Sequence, residues 1–336
     1  MDERAERLVV VGASAGGVEA LTELVGGLPA GLNAAVAVVL HLPAGAQSRL
    51  PQILGRAGPL LAVAAEDGLP LERGRIYVAP PDHHLVIRDR ECRIVTGPHE
   101  NGVRPSVDVL FRSAALAYGP GTVGVVLSGA RDDGVAGANA IEQRGGCVLV
   151  QDPDEAAFSG MPSETLSRDH PDAVLPLAAL AGAIVRAVGD LSTEEAMSDN
   201  PGDEMSVETE YAMLEADTIG RSAPPGRPSP FTCPACGGVL WESEDDEQLR
   251  FRCRVGHAFS AEAAVDEEGA ALEDALWTAL RALRERADLS DRIVRRLGDN
   301  GAAPQSRRRF EAIARESREK AEVIRRVLAG SDRGET

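Results

Sequence analysis

Aromatic residues are scarce: two Trp, three Tyr and six Phe in 336 residues. Basic residues are also in deficit, with 35 Lys plus Arg against 53 Asp plus Glu and a formal net charge of −18. That balance argues against sequence-independent nucleic-acid binding, whose affinity comes mostly from cationic side chains neutralising phosphates, and leaves room only for a local basic patch. No apolar run approaches the roughly 20 residues a membrane-spanning helix needs. Five of the first seven residues are charged, and the start lacks the apolar core of a signal peptide. A soluble, cytoplasmic protein without membrane insertion is expected. Cysteine is limited to five residues, an odd count with three crowded into one short stretch, which argues against a disulfide framework and for metal binding in a reducing compartment. What remains is ample for a core: hydrophobic residues make up 43%, and the length suits about two domains.

Between Arg7 and about Gly189, β-branched runs alternate with Ala- and Leu-rich helical stretches. The pattern predicts an α/β domain on a mostly parallel, doubly wound sheet. Strands are expected at Leu8 to Val11, Ala35 to Leu40, Leu60 to Ala64, Arg75 to Val78, Thr122 to Ser128, Cys147 to Val150 and Ala173 to Leu175. Leu85 to Ile87 and Arg93 to Val95, around Arg88-Asp89-Arg90-Glu91, read as an inserted antiparallel hairpin.

From 191 to 230, nine acidic residues meet only Arg221 and Arg227 before a Pro-rich end, the composition of a flexible linker. Residues 231–263 form a small Cys-bearing module; Phe231, Trp241, Phe251 and Phe259 lie in it, with Trp277 just beyond, compensating for its size. Over 264–330, Leu272, Leu276, Leu283, Ile313, Ile324 and Leu328 recur at helical spacing, broken by Gly298-Asp299-Asn300-Gly301 and restarted near Pro304. A helical hairpin is expected.

The first strand ends in Gly12-Ala13-Ser14-Ala15-Gly16-Gly17. As a dinucleotide fingerprint it lacks glycine where Ser14 stands, and as a phosphate loop it lacks the Lys-Ser/Thr ending. It matches G-x-S-x-G, in which a serine sits on a sharp strand-to-helix turn with its hydroxyl exposed. A merely structural glycine turn is the alternative. The second strand runs into His41, and the Thr122 strand opens into Ala130-Arg131-Asp132-Asp133-Gly134. His41 alone reads as an ordinary histidine, and an Asp before a helix as an N-cap. All three, however, fall just past strand carboxyl ends, where open α/β sheets bind ligands. Serine, histidine and aspartate are the parts of an acyl-transfer triad. Their order here is not that of α/β-hydrolases, and spacing does not separate Asp132 from Asp133.

Seven ordered segments carry a resemblance: Gly12 to Gly17, His41-Leu42-Pro43, Glu66-Asp67-Gly68, Ala79-Pro80-Pro81-Asp82, Arg104-Pro105-Ser106-Val107-Asp108, Leu127-Ser128-Gly129 to Asp133-Gly134, and Gly160-Met161-Pro162. Together they resemble the catalytic domain of CheB-type protein-glutamate methylesterases, over about residues 7 to 190. The resemblance implies a domain at 1–190 that hydrolyses glutamate methyl esters on the cytoplasmic helices of methylated chemoreceptors. It implies deamidation of receptor glutamines as a second activity. Ser14 would be nucleophile, His41 general base and Asp133 its orienting carboxylate, with no cofactor for catalysis. Family members commonly carry Thr and Met where Ala15 and Ala130 stand. Backbone N–H groups at Ala15 and Ala130 still suit an oxyanion hole, without a threonine hydroxyl. His83, His84 and Arg104 lie in matching loops as candidate substrate contacts. Phosphorylation-controlled members carry a receiver domain ahead of the catalytic one, for which a strand starting near Leu8 leaves no room.

The tail carries a separate signal. Cys233-Pro234-Ala235-Cys236, then Cys253 to His257, gives C-x2-C, a spacer and C-x3-H, four ligands suited to a closed structural zinc site. Cys92 and Cys147 read as inert core thiols. Arg307-Arg308-Arg309 and Arg325-Arg326 alternate with acids on a solvated hairpin, the alternative being a docking surface for a signalling partner. Against the esterase stand a catalytically silent signalling adaptor that uses the same fold and the C-terminal module, and a nucleotide-binding domain.

Overall fold

Leu8–Ala13 is apolar at every position and forms β1, buried on both faces as a strand inside a parallel sheet must be. The computed structural model containing it describes residues 4–331 apart from 44, 47, 169, 191–203, 215–223, 246–247 and 300–303. β1 is followed by α1 (Gly17–Gly26), β2 (Ala35–Leu40), α2 (Leu50–Ala57), β3 (Leu61–Ala64) and β4 (Arg75–Val78). The hairpin β5 (His84–Arg88) and β6 (Glu91–Val95) precedes α3 (Val107–Tyr118), β7 (Thr122–Val126), α4 (Val135–Gln143), β8 (Cys147–Gln151), α5 (Gly160–Arg168), β9 (Ala173–Leu175) and α6 (Leu177–Asp190).

Seven strands make one sheet in the order β3-β4-β2-β1-β7-β8-β9, every neighbouring pair parallel. Side chains alternate across it. Leu8 and Val10 face a core shared with Leu110, Phe111 and Ile141 of α3 and α4, while Val9 and Val11 face Leu21, Leu24, Leu54 and Ile184 of α1, α2 and α6. The chain works outward from β1 through β2 and β4, then returns to place β7 on β1's other side. That reversal opens a crevice at the carboxyl ends of β2, β1 and β7. The hairpin β5–β6 lies outside this sheet, turning at Asp89 and Arg90 with positive φ at both, the backbone of a tight primed turn.

Residues 204–214 correct the expectation of a flexible linker. Glu204–Ala212 form helix α7, with Met205, Val207, Tyr211 and Ala212 buried. The acid content misleads because Glu208 is neutralised by Arg112 and Arg252, far away in sequence. The rest of that expected linker, up to residue 223, lies outside the described residues. The Cys module follows as an antiparallel sheet, β10 (Arg227–Thr232), β11 (Val239–Asp245), β12 (Gln248–Cys253) and β13 (Ala258–Ser260). Its core gathers Leu240, Phe251, Phe259 and Ala263, with Phe231 edge-on to Phe251.

The chain divides into two compact units between Ala264 and Val265. Helix α8 (Ala261–Asp299) starts in the first unit, where Ser260 Oγ accepts the Ala263 N–H as an N-cap. In the second, α8 and α9 (Pro304–Ser331) form the expected helical hairpin around Leu276, Leu280, Leu283, Ile324 and Leu328. Among the described residues, no helix is long and apolar enough to cross a membrane.

Candidate active site

Ser14 is the first residue beyond β1. Its N–H donates to Ser128 O at 3.0 Å and its C=O accepts the Gly17 N–H at 2.9 Å, closing a tight turn into α1. Gly16 N-caps that helix at φ 71°, a conformation that suits glycine and little else. His41 holds the matching place on β2: Ala13 and Leu40 are register partners, and the His41 N–H donates to Ala13 O at 3.1 Å. The loop after β7 supplies Asp133, only 3% exposed. His41 Nε2 lies 2.8 Å from Asp133 Oδ2. The structure therefore brings Ser14, His41 and Asp133 to three adjacent strand ends.

Asp133 collects further donors. Oδ2 accepts the Val107 N–H at 2.6 Å, and Oδ1 accepts from Ser106 Oγ at 2.8 Å and Asn101 Nδ2 at 3.0 Å. Burial pushes its pKa up, but the bonds from His41, Val107 and Ser106 outweigh this and hold it at about 2. Asp133 is thus a fixed anion, and the His41 tautomer that donates Nε2–H to it leaves Nδ1 as the ring's acceptor. Asp132 points elsewhere. Burial raises its pKa, opposed by a hydrogen bond with Ser260.

Neither aspartate caps the helix that follows them, contrary to the simplest reading of the sequence. Asp108, on α3, does so by accepting the Gly134 and Gly137 N–H groups at 3.0 and 2.7 Å. Burial, reinforced by the nearby Asp133 charge, raises Asp108 to about 7. Arg131, just ahead of the two aspartates, holds φ 64°, a left-handed conformation that costs a non-glycine residue on the order of 1 kcal/mol.

Beside Ser14, Ser128 Oγ donates to Ala15 O at 2.8 Å and fixes that peptide. Among the described residues, no acceptor meets the N–H of Ala15 or Ala130. Gly129 is packed so closely that an added Cβ would lie 2.1 Å from Met161 Sδ and 2.9 Å from Ser14 Cβ.

Of the other candidate contacts, the structure contradicts His84. His84 is fully buried, with Nε2 against Pro98 O at 2.9 Å and Nδ1 accepting the Ser106 N–H at 3.2 Å. Both ring nitrogens are engaged by backbone, so His84 supports Ser106 and cannot touch a substrate. Desolvation brings its pKa down to about 4. Arg104 is a staple: Nε and Nη2 donate to Asp82 Oδ1 at 3.0 and 2.6 Å, and Nη1 to Gly97 O at 2.8 Å. His83 Nδ1 is held near Pro81 O.

The sequence reading did not single out Asn101, and it gave Ser106 and Asp108 no role. It also passed over a buried ionic cluster nearby. Glu100 takes two bonds from Arg112 Nη2, at 2.9 and 3.1 Å, and Glu208 of α7 pairs with Arg112 and Arg252 at 3.1 and 3.0 Å. Arg250 lies within 3.9 Å of both acids.

In the Cys module, the Sγ atoms of Cys233, Cys236 and Cys253 and a ring nitrogen of His257 lie within 4.8 Å of one another. Cys236 and Cys253 Sγ are 3.7 Å apart, and His257 Nδ1 is 3.7 and 3.5 Å from Cys233 and Cys253 Sγ. Zinc bonds of about 2.3 Å to sulfur and 2.0 Å to nitrogen, set tetrahedrally, space their ligands about 3.5–3.8 Å apart. The donor set fits zinc. Cys92 and Cys147 are free thiols, each pushed up to about 12 by burial.

Fold and site define an α/β protein with serine, histidine and aspartate grouped at the carboxyl edge of a parallel sheet. The chain belongs to the CheB methylesterase family, whose model matches residues 9–184. It is 39% identical over 189 residues to protein-glutamate methylesterase/protein-glutamine glutaminase 2 of Methanosarcina mazei, covering 54% of this chain and 52% of that one. It is 41% identical over 184 residues to the protein-glutamate methylesterase/protein-glutamine glutaminase of a Nocardioides species, covering 54% and 50%. The chain spans about half the length of these curated relatives. The crystal structure of the Thermotoga maritima CheB methylesterase catalytic domain superposes with a TM-score of 0.52 at 31% identity, over 54% of this chain and 97% of that domain.

Proposed function

We propose that this protein is a serine esterase that hydrolyses glutamate methyl esters on the cytoplasmic helices of chemoreceptors, releasing glutamate and methanol. The observation that carries the reading is the 2.8 Å contact between His41 Nε2 and the anionic Asp133, beside Ser14 on its strand-to-helix turn. Ser14 Oγ attacks the ester carbonyl as its proton passes to His41 Nδ1, and the resulting imidazolium is stabilised by Asp133. The N–H groups of Ala15 and Ala130 receive the oxyanion. Collapse of the tetrahedral intermediate breaks the C–OCH3 bond, and His41 returns its proton to the departing methanol. Water then attacks the acyl-serine with the same base, freeing the carboxylate and Ser14. On a primary amide the same steps release ammonia, so receptor glutamines are deamidated by the same residues.

The reading includes a structural zinc held by Cys233, Cys236, Cys253 and His257. A closed four-ligand shell leaves no coordination position for a reacting water, so zinc supplies folding energy to the module and no chemistry. Metal analysis of the full chain should find about one equivalent.

The test is methanol release from a methylated chemoreceptor signalling domain by the wild-type chain, Ser14→Ala and His41→Ala. Release by the wild type, abolished or strongly reduced in both variants, is expected. A folded wild type that releases nothing from several methylated receptors would sink the esterase reading in favour of the adaptor.

A further inference from the structure

Asn101 stands between the triad and the Cys module. Its Nδ2 donates to both Asp133 Oδ1 and Asp108 Oδ2, at 3.0 and 2.8 Å. Its Oδ1 accepts the N–H of Ser260, the last residue of β13, at 3.0 Å. Only this amide orientation serves both sides, since carboxylates accept and a backbone N–H donates. The backbone repeats the connection: the Asn101 N–H donates to Ala258 O at 2.8 Å, and the Ala258 N–H to His99 O at 3.3 Å. Asn101 is 4% exposed, and Ser260 also meets Asp132.

Strand β13 is placed by the metal-ligand turn. Cys253 ends β12, His257 precedes β13, and the turn between them closes with Cys253 N–H to His257 O and Gly256 N–H to Cys253 O, both at 2.9 Å. Arg252, beside that turn, donates to Gly256 O at 2.9 Å and reaches Glu100, the neighbour of Asn101, at 3.5 Å. A path of backbone and hydrogen bonds therefore runs from the turn that carries Cys253 and His257 through β13 and Asn101 to Asp133.

We infer that Asn101 is a positioning residue for the triad, held in place by the Cys module, so that metal binding at Cys233, Cys236, Cys253 and His257 controls the reactivity of Ser14 through Asp133. This rests on the triad reading above. With the ligands joined, β13 keeps its register and Asn101 Nδ2 is aimed at Asp133. With the metal removed, the turn loses its cross-link, β13 slackens, and Asp133 loses a donor and its fixed orientation. Coupling of this kind needs a two-state element that both sites bias, and β13 is that element.

The experiment uses the full chain with zinc bound, stripped by a chelator and restored, alongside Asn101→Ala in the same three states. Ser14 reactivity is read with a small activated ester, and amide hydrogen exchange is followed over residues 95–108. Stripping zinc from the wild type should lower kcat at least tenfold with KM little changed, reversibly, and should release the Asn101 amide to exchange. Asn101→Ala should show the same loss in kcat, and stripping it of zinc should add nothing, because both changes cut one path. Wild-type kcat and Asn101 protection that both survive zinc removal would overturn the inference, as would losses that multiply in the double perturbation. Should Asn101→Ala fail to fold, the exchange and kcat of the wild type decide alone. A chain whose Ser14 reacts in no state refutes the esterase reading instead, and hydrogen exchange then still reads the link between metal and Asn101.

Discussion

His41 and Asp133 stand 92 residues apart in sequence, yet His41 Nε2 and Asp133 Oδ2 meet at 2.8 Å. The contact is made by backbone: β2 and β7 flank β1 in parallel register, and the residues that follow each strand inherit that adjacency.

Replacement of Asp133 by Asn tests more than charge. Oδ1 and Oδ2 accept from His41, Val107, Ser106 and Asn101, so an amide NH2 at either position would face a donor. Asp133→Asn should fold with reduced stability and hydrolyse esters roughly a thousandfold or more slowly, since the carboxylate sets the His41 tautomer. Steady-state kinetics beside a thermal melt separates the two effects.

Gly129→Ala should act on Ser14 directly. The new Cβ meets Met161 Sδ and Ser14 Cβ, and a displacement of about 1 Å at a nucleophile can cost on the order of a hundredfold in rate. Adding Met161→Ala removes the sulfur but leaves Ser14 crowded. The double variant should regain stability without regaining activity, measured by chemical unfolding and ester hydrolysis on the same samples.

Acid should destabilise the protein through His84. Its pKa is about 4 in the fold against 6.5 for an ordinary histidine, so the unfolded chain binds a proton that the folded one refuses. The stability is present above pH 6.5 and is lost as pH falls to 4, at about 1.4 kcal/mol per unit and up to about 3 kcal/mol in all. Asp108 works in the opposite direction. Raised to about 7, it is protonated first in the folded state and adds stability as pH falls through the same range. Comparing His84→Gln with the wild type cancels that term, and the variant's unfolding free energy should fall less between pH 6.5 and 4.

Docking of α7 depends on Gly97. A Cβ there would lie 1.9 Å from Ala212 O, and backbone cannot give way as a flexible side chain can. Gly97→Ala should lift α7, break the pairing of Glu208 with Arg112 and Arg252, and leave buried arginines short of partners, at a cost of about 3 kcal/mol. Limited proteolysis within 204–214 should then become rapid.

Much of the fold was legible because a parallel strand buried on both faces is a short apolar run. All nine runs assigned between Leu8 and Leu175 overlap the strands β1 to β9. Ser14 and His41 could be singled out because each directly follows such a run, and Asp132 and Asp133 because the loop after β7 holds them; the choice of Asp133 between the two rested on the family resemblance and not on spacing. The failures share one cause, partners distant in sequence. Helix α7 looked too acidic to order itself, since Glu208's cations lie at Arg112, Arg250 and Arg252. The cap of α4 comes from Asp108 on another helix rather than from the adjacent aspartates. His84 sat in the right loop, but burial and backbone contacts, which local sequence does not encode, decide what it does.

The place of β1 has a kinetic consequence for the growing chain. Once residues up to Val78 have been synthesised, β1 can pair with β2, and β2 with β4, leaving the other edge of β1 bare until Thr122 to Val126 arrive. An open, apolar strand edge is a template for pairing with other chains. The strand that leads into Ser14 is therefore an aggregation hazard in a nascent or truncated chain, and β7, whose following loop carries Asp133, closes it.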